Sequence, residues 1–176
     1  MLDAAIEGSG APDDRGAAVE GSAMGDVVTF VADAALYAVE VIRVQEILDL
    51  RPVAVMPNAP DHLLGIIDLR GANIPVVDLR RLLGRGVGED TGQTRILVVW
   101  VAHRGGRAII GVKTDRVIEV TQLDGGLVKP MAEADLLRWS GSAIAGIGRL
   151  KGEVVSVLDL DRLFERVDLP EFQGVV

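Results

Sequence analysis

Gly65–Leu83 reads GIIDLRGANIPVVDLRRLL, and Gly146–Phe164, 81 positions further on, reads GIGRLKGEVVSVLDLDRLF. Nine of the 19 aligned positions are identical, among them Gly65/Gly146, Gly71/Gly152, Asp78/Asp159 and Leu79/Leu160. Others keep their kind, such as Arg70/Lys151, Ile74/Val155 and Leu83/Phe164. Upstream, Val44-Gln45-Glu46-Ile47 is echoed by Val117-Ile118-Glu119-Val120 at an offset of 73, so the second copy carries the longer loop. Internal repetition fixes an architecture before any single residue does, because each copy has to bury an equivalent face. The repeat implies two similar half-domains with a groove or a pseudo-symmetric surface between them.

Working outward, the local signals are those of short strands. VVTFVA (27–32) and LYAVEV (36–41) flank the turn-prone Asp33-Ala34-Ala35 and read as a hairpin. A short strand is expected near Val53–Met56, before Pro57, Asn58 and Pro60 break the chain. Ile66–Leu69 and Ile74–Val77 form the next hairpin, turned at Arg70-Gly71-Ala72-Asn73, where Gly71 suits a positive φ. Asp78 reads as the N-cap of a short helix ending at Gly84, and the glycine-rich 84–92 links the halves. RILVVWVA (95–102) and RAIIGVK (107–113) flank the turn His103–Gly106. An insertion near 121–142 holds a helical turn at Glu133–Trp139; Ala143–Leu150 then pairs with Glu153–Leu158 across Lys151-Gly152, and Asp159 caps the closing helix.

About five strands per half cover their edges best by curling up, so the expected fold is mainly β: two small five-stranded barrels with short helices. Residues 1–25 are expected to be a disordered acidic arm, 26–165 a single domain divided at about 26–90 and 91–165, and 166–176 a C-terminal tail.

Composition narrows the function classes. Apolar residues make up 49% and charged residues 25%, as in a soluble globular protein, and no apolar run reaches membrane-spanning length. No secretory signal opens the sequence, and with no cysteine there are no disulfides, thiolate metal sites or thiol nucleophiles, which fits a cytoplasmic setting. The net charge of −8 sits in the ends: residues 1–26 carry six acids and one base, and the tail after Phe164 carries three acids and one base. The remaining core is nearly neutral, with no field to attract a phosphate backbone.

The catalytic inventory is poor. His62 and His103 read as solvated loop residues, and Ser140, Ser142 and Ser156 lack a nucleophile-elbow pattern. No metal-ligand spacing occurs, and Gly84-Arg85-Gly86-Val87-Gly88 lacks the helix and the Lys-Ser/Thr of a phosphate loop. Neither catalysis, a cofactor nor a metal is expected. A small barrel binding single-stranded nucleic acid is the alternative from another class, but it needs a basic groove lined with aromatics, and this chain has few aromatics. Glu46 stands apart: a carboxylate in the apolar run Val44–Leu48 needs a donor, and Arg70 in the first-copy turn can supply one. Two solvated charges are the other reading, and Glu119 with Lys151 repeats the pair.

These segments resemble the CheW family of chemotaxis adaptors. The matching pieces are Tyr37–Val41, Val44–Ile47, Pro57, Pro60, Gly65–Gly71 and Ile74–Arg80, and the likeness runs in order from about Val27 to Phe164. It implies two SH3-like barrel subdomains and a non-catalytic adaptor that couples chemoreceptor signalling tips to the regulatory domain of a CheA-type histidine kinase. Such an adaptor works in cytoplasmic arrays at the inner face of the membrane, without inserting into it. The receptor tip is then expected in the groove between subdomains, at Val44, Glu46, Gly65, Arg70 and Gly71, with Glu46 and Arg70 as a structural salt bridge. The second barrel's exposed apolar face is expected to meet the kinase. A CheW-like scaffold in a non-motility pathway is a further alternative. Two departures are visible: Asp68 stands where the best-known members have Asn, and the acidic arm is longer. At 176 residues, with no room for a kinase or receiver domain, a stand-alone adaptor is expected.

Overall fold

A strand that buries both faces must be apolar at nearly every position, and two segments of this chain are. In the computed structural model, which describes residues 21–132 and 143–170, these segments are β2 (Val27–Ala32) and β7 (Arg95–His103). From β2, Val28, Phe30 and Ala32 enter one core and Val27 enters another. From β7, Leu97, Val99 and Val101 enter that same first core, while Ile96 and Val98 enter a third. There are thus three cores: one inside each curled sheet and one shared between them.

The remaining strands are β1 (Ser22–Ala23), β3 (Ala35–Glu40), β4 (Val44–Asp49), β5 (Leu63–Leu69), β6 (Ala72–Asp78), β8 (Gly106–Thr114), β9 (Arg116–Thr121), β10 (Leu127–Pro130), β11 (Ile144–Leu150) and β12 (Glu153–Leu158). Helices α1 (Leu79–Leu82) and α2 (Leu160–Phe164) follow β6 and β12. As the spacing implied, Asp78 accepts from the Arg80 amide and Asp159 from the Arg162 amide, satisfying donors free at each helix start.

One sheet runs β4-β7-β8-β6-β5, the other β1-β10-β11-β12-β3-β2-β9. The expected division at 26–90 and 91–165 therefore needs correction. The first sheet is built from 44–114 alone, whereas the N-terminal hairpin β2–β3 completes the C-terminal sheet. The repeat is permuted: β4, β5, β6, β7 and β8 correspond to β9, β11, β12, β2 and β3, and the second copy takes its hairpin from the start of the chain. The correspondence reaches the register. β6 pairs parallel with β8 as β12 does with β3, and the bulge between Val44 and Glu46 of β4, against β7, recurs between Val117 and Glu119 of β9, against β2.

The structure also moves the outer boundaries. Ser22 and Ala23 pair with Val128 and Leu127, and the Met24 amide donates to the Gly126 carbonyl, so the expected arm gives its last residues to the second sheet. Two small residues on an edge need no apolar period, which is why the pattern was silent there. Val167 and Leu169 pack on the shared core, so the domain runs past 165. Residues 1–20 of the arm, the turn at Glu133–Trp139, Ser140, Ser142 and the end of the tail lie outside the described residues.

Gly65 and Gly146 recur for a steric reason. A Cβ on Gly65 would stand 2.1 Å from the Ala54 carbonyl oxygen, and one on Gly146 would stand 2.5 Å from that of Lys129. Ala54 bridges to Ile66 as Lys129 pairs with Ile147, so each glycine lets a crossing segment approach its barrel. Gly65→Ala and Gly146→Ala are each expected to lower unfolding free energy by about 2–3 kcal/mol, the range of overpacked cores. Gly71→Ala, with open space but a φ of 84°, should lose only about 1 kcal/mol. Urea denaturation of the three variants checks that order.

Candidate functional site

The register places several polar features at one end of the first barrel. Leu69 pairs with Ala72 across the Arg70-Gly71 turn, and Val76 lies beside Gly111 on the parallel β8, so this turn points the same way as the β7–β8 hairpin. Val44 pairs with Val99 near that end. Val44, Glu46, Arg70 and Gly71 are thus gathered at the barrel mouth. Gly65 is not exposed there: it is buried beneath Ala54, and its requirement is the steric one above.

Glu46 shares its face of β4 with Leu48, a member of the barrel core, so its carboxylate emerges at the rim. Arg70 Nη2 lies 3.0 Å from Glu46 Oε2 and donates to Oε1 at 3.1 Å. β4 and β5 are the two edges of the sheet, so the pair spans the seam where the barrel closes. Lys151 and Glu119 pair at the equivalent positions of the second barrel at 3.4 Å, although there β10 and β1 extend the sheet beyond β11. Arg70 is 76% exposed and Lys151 80%, which places either pair at about 0–1 kcal/mol of stability. Their effect is to fix the shape and charge of the rims.

The paired turns are held differently. Arg70 (φ 54°) and Lys151 (φ 50°) both adopt the left-handed region ahead of a glycine. In the first copy the Gly71 amide donates to Asp68 Oδ1 at 2.8 Å. Arg149 replaces Asp68 in the second copy, and Asp124 in the insertion instead accepts from the Lys151 and Gly152 amides, both at 2.9 Å. Those two donors hold the Asp124 carboxyl below its usual range. A carboxylate at 68 therefore serves the turn directly.

Two clamps join the sheets. Arg80 of α1 donates from Nε to Asp115 Oδ1 at 2.9 Å and approaches Asp33 in the β2–β3 turn at 3.4 Å. At the equivalent position in α2, Asp161 accepts from Arg43 Nη1 at 3.0 Å and from the Ala102 amide at 2.8 Å. The signs are reversed, yet each clamp ties the helix of one barrel to the hairpin of the other. For Asp115, desolvation raises the pKa, but the Arg80 hydrogen bond, the Asp33 amide and the charges of Arg80 and Lys113 outweigh it, leaving it lowered. The Arg43 hydrogen bond, offset by desolvation and helped by the Ala102 amide and the charge of Arg43, lowers that of Asp161.

Beside this rim lies a group built on Trp100 of β7. The guanidinium carbons of Arg43 and Arg107 each stand 3.9 Å from the Trp100 ring centroid. The indole donates to the Ile42 carbonyl at 2.9 Å. The only available signal was a tryptophan interrupting the valines of β7; the arginines that stack on it lie 57 residues before and seven after. The histidines also need correction. Both are half-buried with an enclosed Nε2, and the His103 Nδ1 sits 3.2 Å from the Phe164 carbonyl oxygen, because the β7–β8 hairpin packs against α2. Among the described residues, no three His, Cys, Asp or Glu side chains cluster as metal ligands, and no helix is long and apolar enough to cross a membrane.

Interlocked barrels with their distinctive side chains gathered at exposed rims define a double-barrel interaction module. Residues 26–168 match the CheW-like domain. The chain is 28% identical over 134 residues to the probable chemotaxis protein CheW of Rhizobium etli, covering 75% of this chain and 82% of that one. It is 30% identical over 130 residues to the chemotaxis protein CheW of Rhizobium meliloti, covering 73% and 79%. The crystal structure of the scaffolding protein TtCheW from Thermoanaerobacter tengcongensis superposes with a TM-score of 0.67 at 27% identity, over 81% of this chain and 93% of that one. The chain belongs to the CheW-like domain family, and its role is that of a coupling adaptor in chemotaxis signal transduction. These relatives support neither the nucleic-acid alternative nor the non-motility one.

The carboxylate pKa values fix a pH dependence. Because the folded values of Asp115 and Asp161 lie below the unfolded value of about 3.9, their contribution is complete above that pH and disappears as pH falls through the folded values. Asp115→Asn and Asp161→Asn should each lose about 1–2 kcal/mol at neutral pH, kept low by partial solvent exposure. The difference from the unaltered protein should shrink as pH falls below the unfolded value and through the folded ones, which urea denaturation at a series of acidic pH values would measure.

Proposed function

We propose that this chain couples the cytoplasmic tip of a chemoreceptor to the regulatory domain of a CheA-type histidine kinase, acting as a scaffold without catalysis, cofactor or metal. The receptor tip meets the rim formed by Val44, Glu46, Arg70 and Gly71, with buried Gly65 shaping the backbone beneath it. The kinase meets the second barrel, where Ile118, Val120, Leu127 and Val154 are exposed apolar side chains. In this reading the protein stands in cytoplasmic receptor arrays at the inner face of the membrane, held there by its partners.

The observation that carries the receptor assignment is the seam pair. Arg70 keeps most of its surface in solvent while Glu46 fixes its direction, so a guanidinium is presented in one place. Glu119 and Lys151 form the equivalent pair, but the second rim carries Ile118 and Val120 where the first carries Gln45 and Ile47. That more apolar edge suits a different partner.

Charge reversal separates the two surfaces. Arg70→Glu should weaken binding of a purified receptor cytoplasmic fragment by about tenfold and leave kinase regulatory-domain binding within about twofold, as expected for a charge at an interface rim. Equal loss of both partners with an unchanged melting temperature would refute the assignment.

A further inference from the structure

We propose that the Arg43–Trp100–Arg107 stack, with Ile42 beside it, is a cationic and aromatic ledge for an acidic residue flanked by an apolar one on the receptor's signalling tip. The inference rests on the receptor-docking reading above and names the chemistry that reading would require of the partner.

The stack lies at the same rim as Arg70. Trp100 shares the strand face of Ile96 and Val98, which line the first barrel, but sits nearer the hairpin end of β7. Opposite it on β8 is Ile109, and Arg107 pairs with Ala102 one step farther out. At that level two guanidinium groups stack on the ring.

The two cations are not equivalent. Arg43 is neutralised by Asp161 and held by the Trp100 carbonyl at 3.2 Å. Arg107 is exposed, and no carboxylate among the described residues pairs with it. It is fixed over the ring within reach of a second cation, so the arrangement leaves a positive charge in a defined place. Arg70, 76% exposed, adds to the field on this side. Ile42 is 72% exposed, and its carbonyl accepts from the Trp100 indole, which keeps it beside the stack. A cation with unused donors beside a presented aliphatic side chain complements an acidic–apolar pair, and the fixed fork lowers the ordering cost of receiving a carboxylate.

The test compares the full chain with Arg107→Glu, Arg107→Lys and Ile42→Ser, each binding a purified receptor cytoplasmic fragment or the kinase regulatory domain in calorimetry. Arg107→Glu should weaken receptor-fragment binding about tenfold or more and flatten its salt dependence, with kinase binding within about twofold. Arg107→Lys should fall between, since it keeps the charge and loses the planar fork. Ile42→Ser, at an exposed position that leaves the fold intact, should lower receptor affinity about threefold to tenfold. Receptor affinities of Arg107→Glu and Ile42→Ser equal to the unaltered protein's would overturn the ledge and leave the adaptor reading standing. Equal losses toward kinase and receptor would overturn its assignment to the receptor, and failure of the unaltered protein to bind the fragment would overturn both.

Discussion

The shared core depends on two strands, β2 and β7, having no solvent face. Each gives alternate side chains to its own barrel and to the space between the barrels, so neither barrel can form its surface without the other. Exchange of the N-terminal hairpin strengthens this dependence. The chain leaves the second sheet after β3, builds the whole first sheet, and returns to finish the second. The shared core lies between the halves, and the side chains of the candidate site reach solvent at the rims of the barrels. A rigid connection suits an adaptor, because the orientation of one docking surface relative to the other is set by packing.

Pseudo-symmetry separates what the scaffold needs from what partners read. Crossing-segment glycines, helix caps, bulges and rim ion pairs recur in both copies because both barrels have the same geometric problems. Chemistry diverges where geometry leaves room. The turn acceptor is Asp68 in one copy and Asp124 in the other, and the clamp residue is Arg80 in one and Asp161 in the other. Exposed side chains diverge further, with the Trp100 stack at the rim of the first barrel and bare aliphatic groups on β9 and β10 of the second.

Much of this was legible because it is local. Hairpins declare themselves through alternation and turn residues, Asp78 and Asp159 through the helix they precede, and Glu46 with Arg70 through a carboxylate that stands among aliphatic neighbours. Hairpin exchange was not legible. A strand's pattern says how many faces it buries, and VVTFVA says two, but nothing in it names the sheet it joins; the parallel pairings of β6 with β8 and β12 with β3 have no local signature. The Trp100 stack was hidden because it requires three elements in register. The histidines were misread because a hairpin end was assumed to face water, whereas this one packs on α2.

If one interlocked body holds receptor and kinase together on separate rims, sedimentation velocity of the full chain mixed with a receptor cytoplasmic fragment and a kinase regulatory domain should show a single faster species containing all three, formed with either order of addition. Displacement of one partner by the other, with only binary complexes at saturating concentrations, would contradict it.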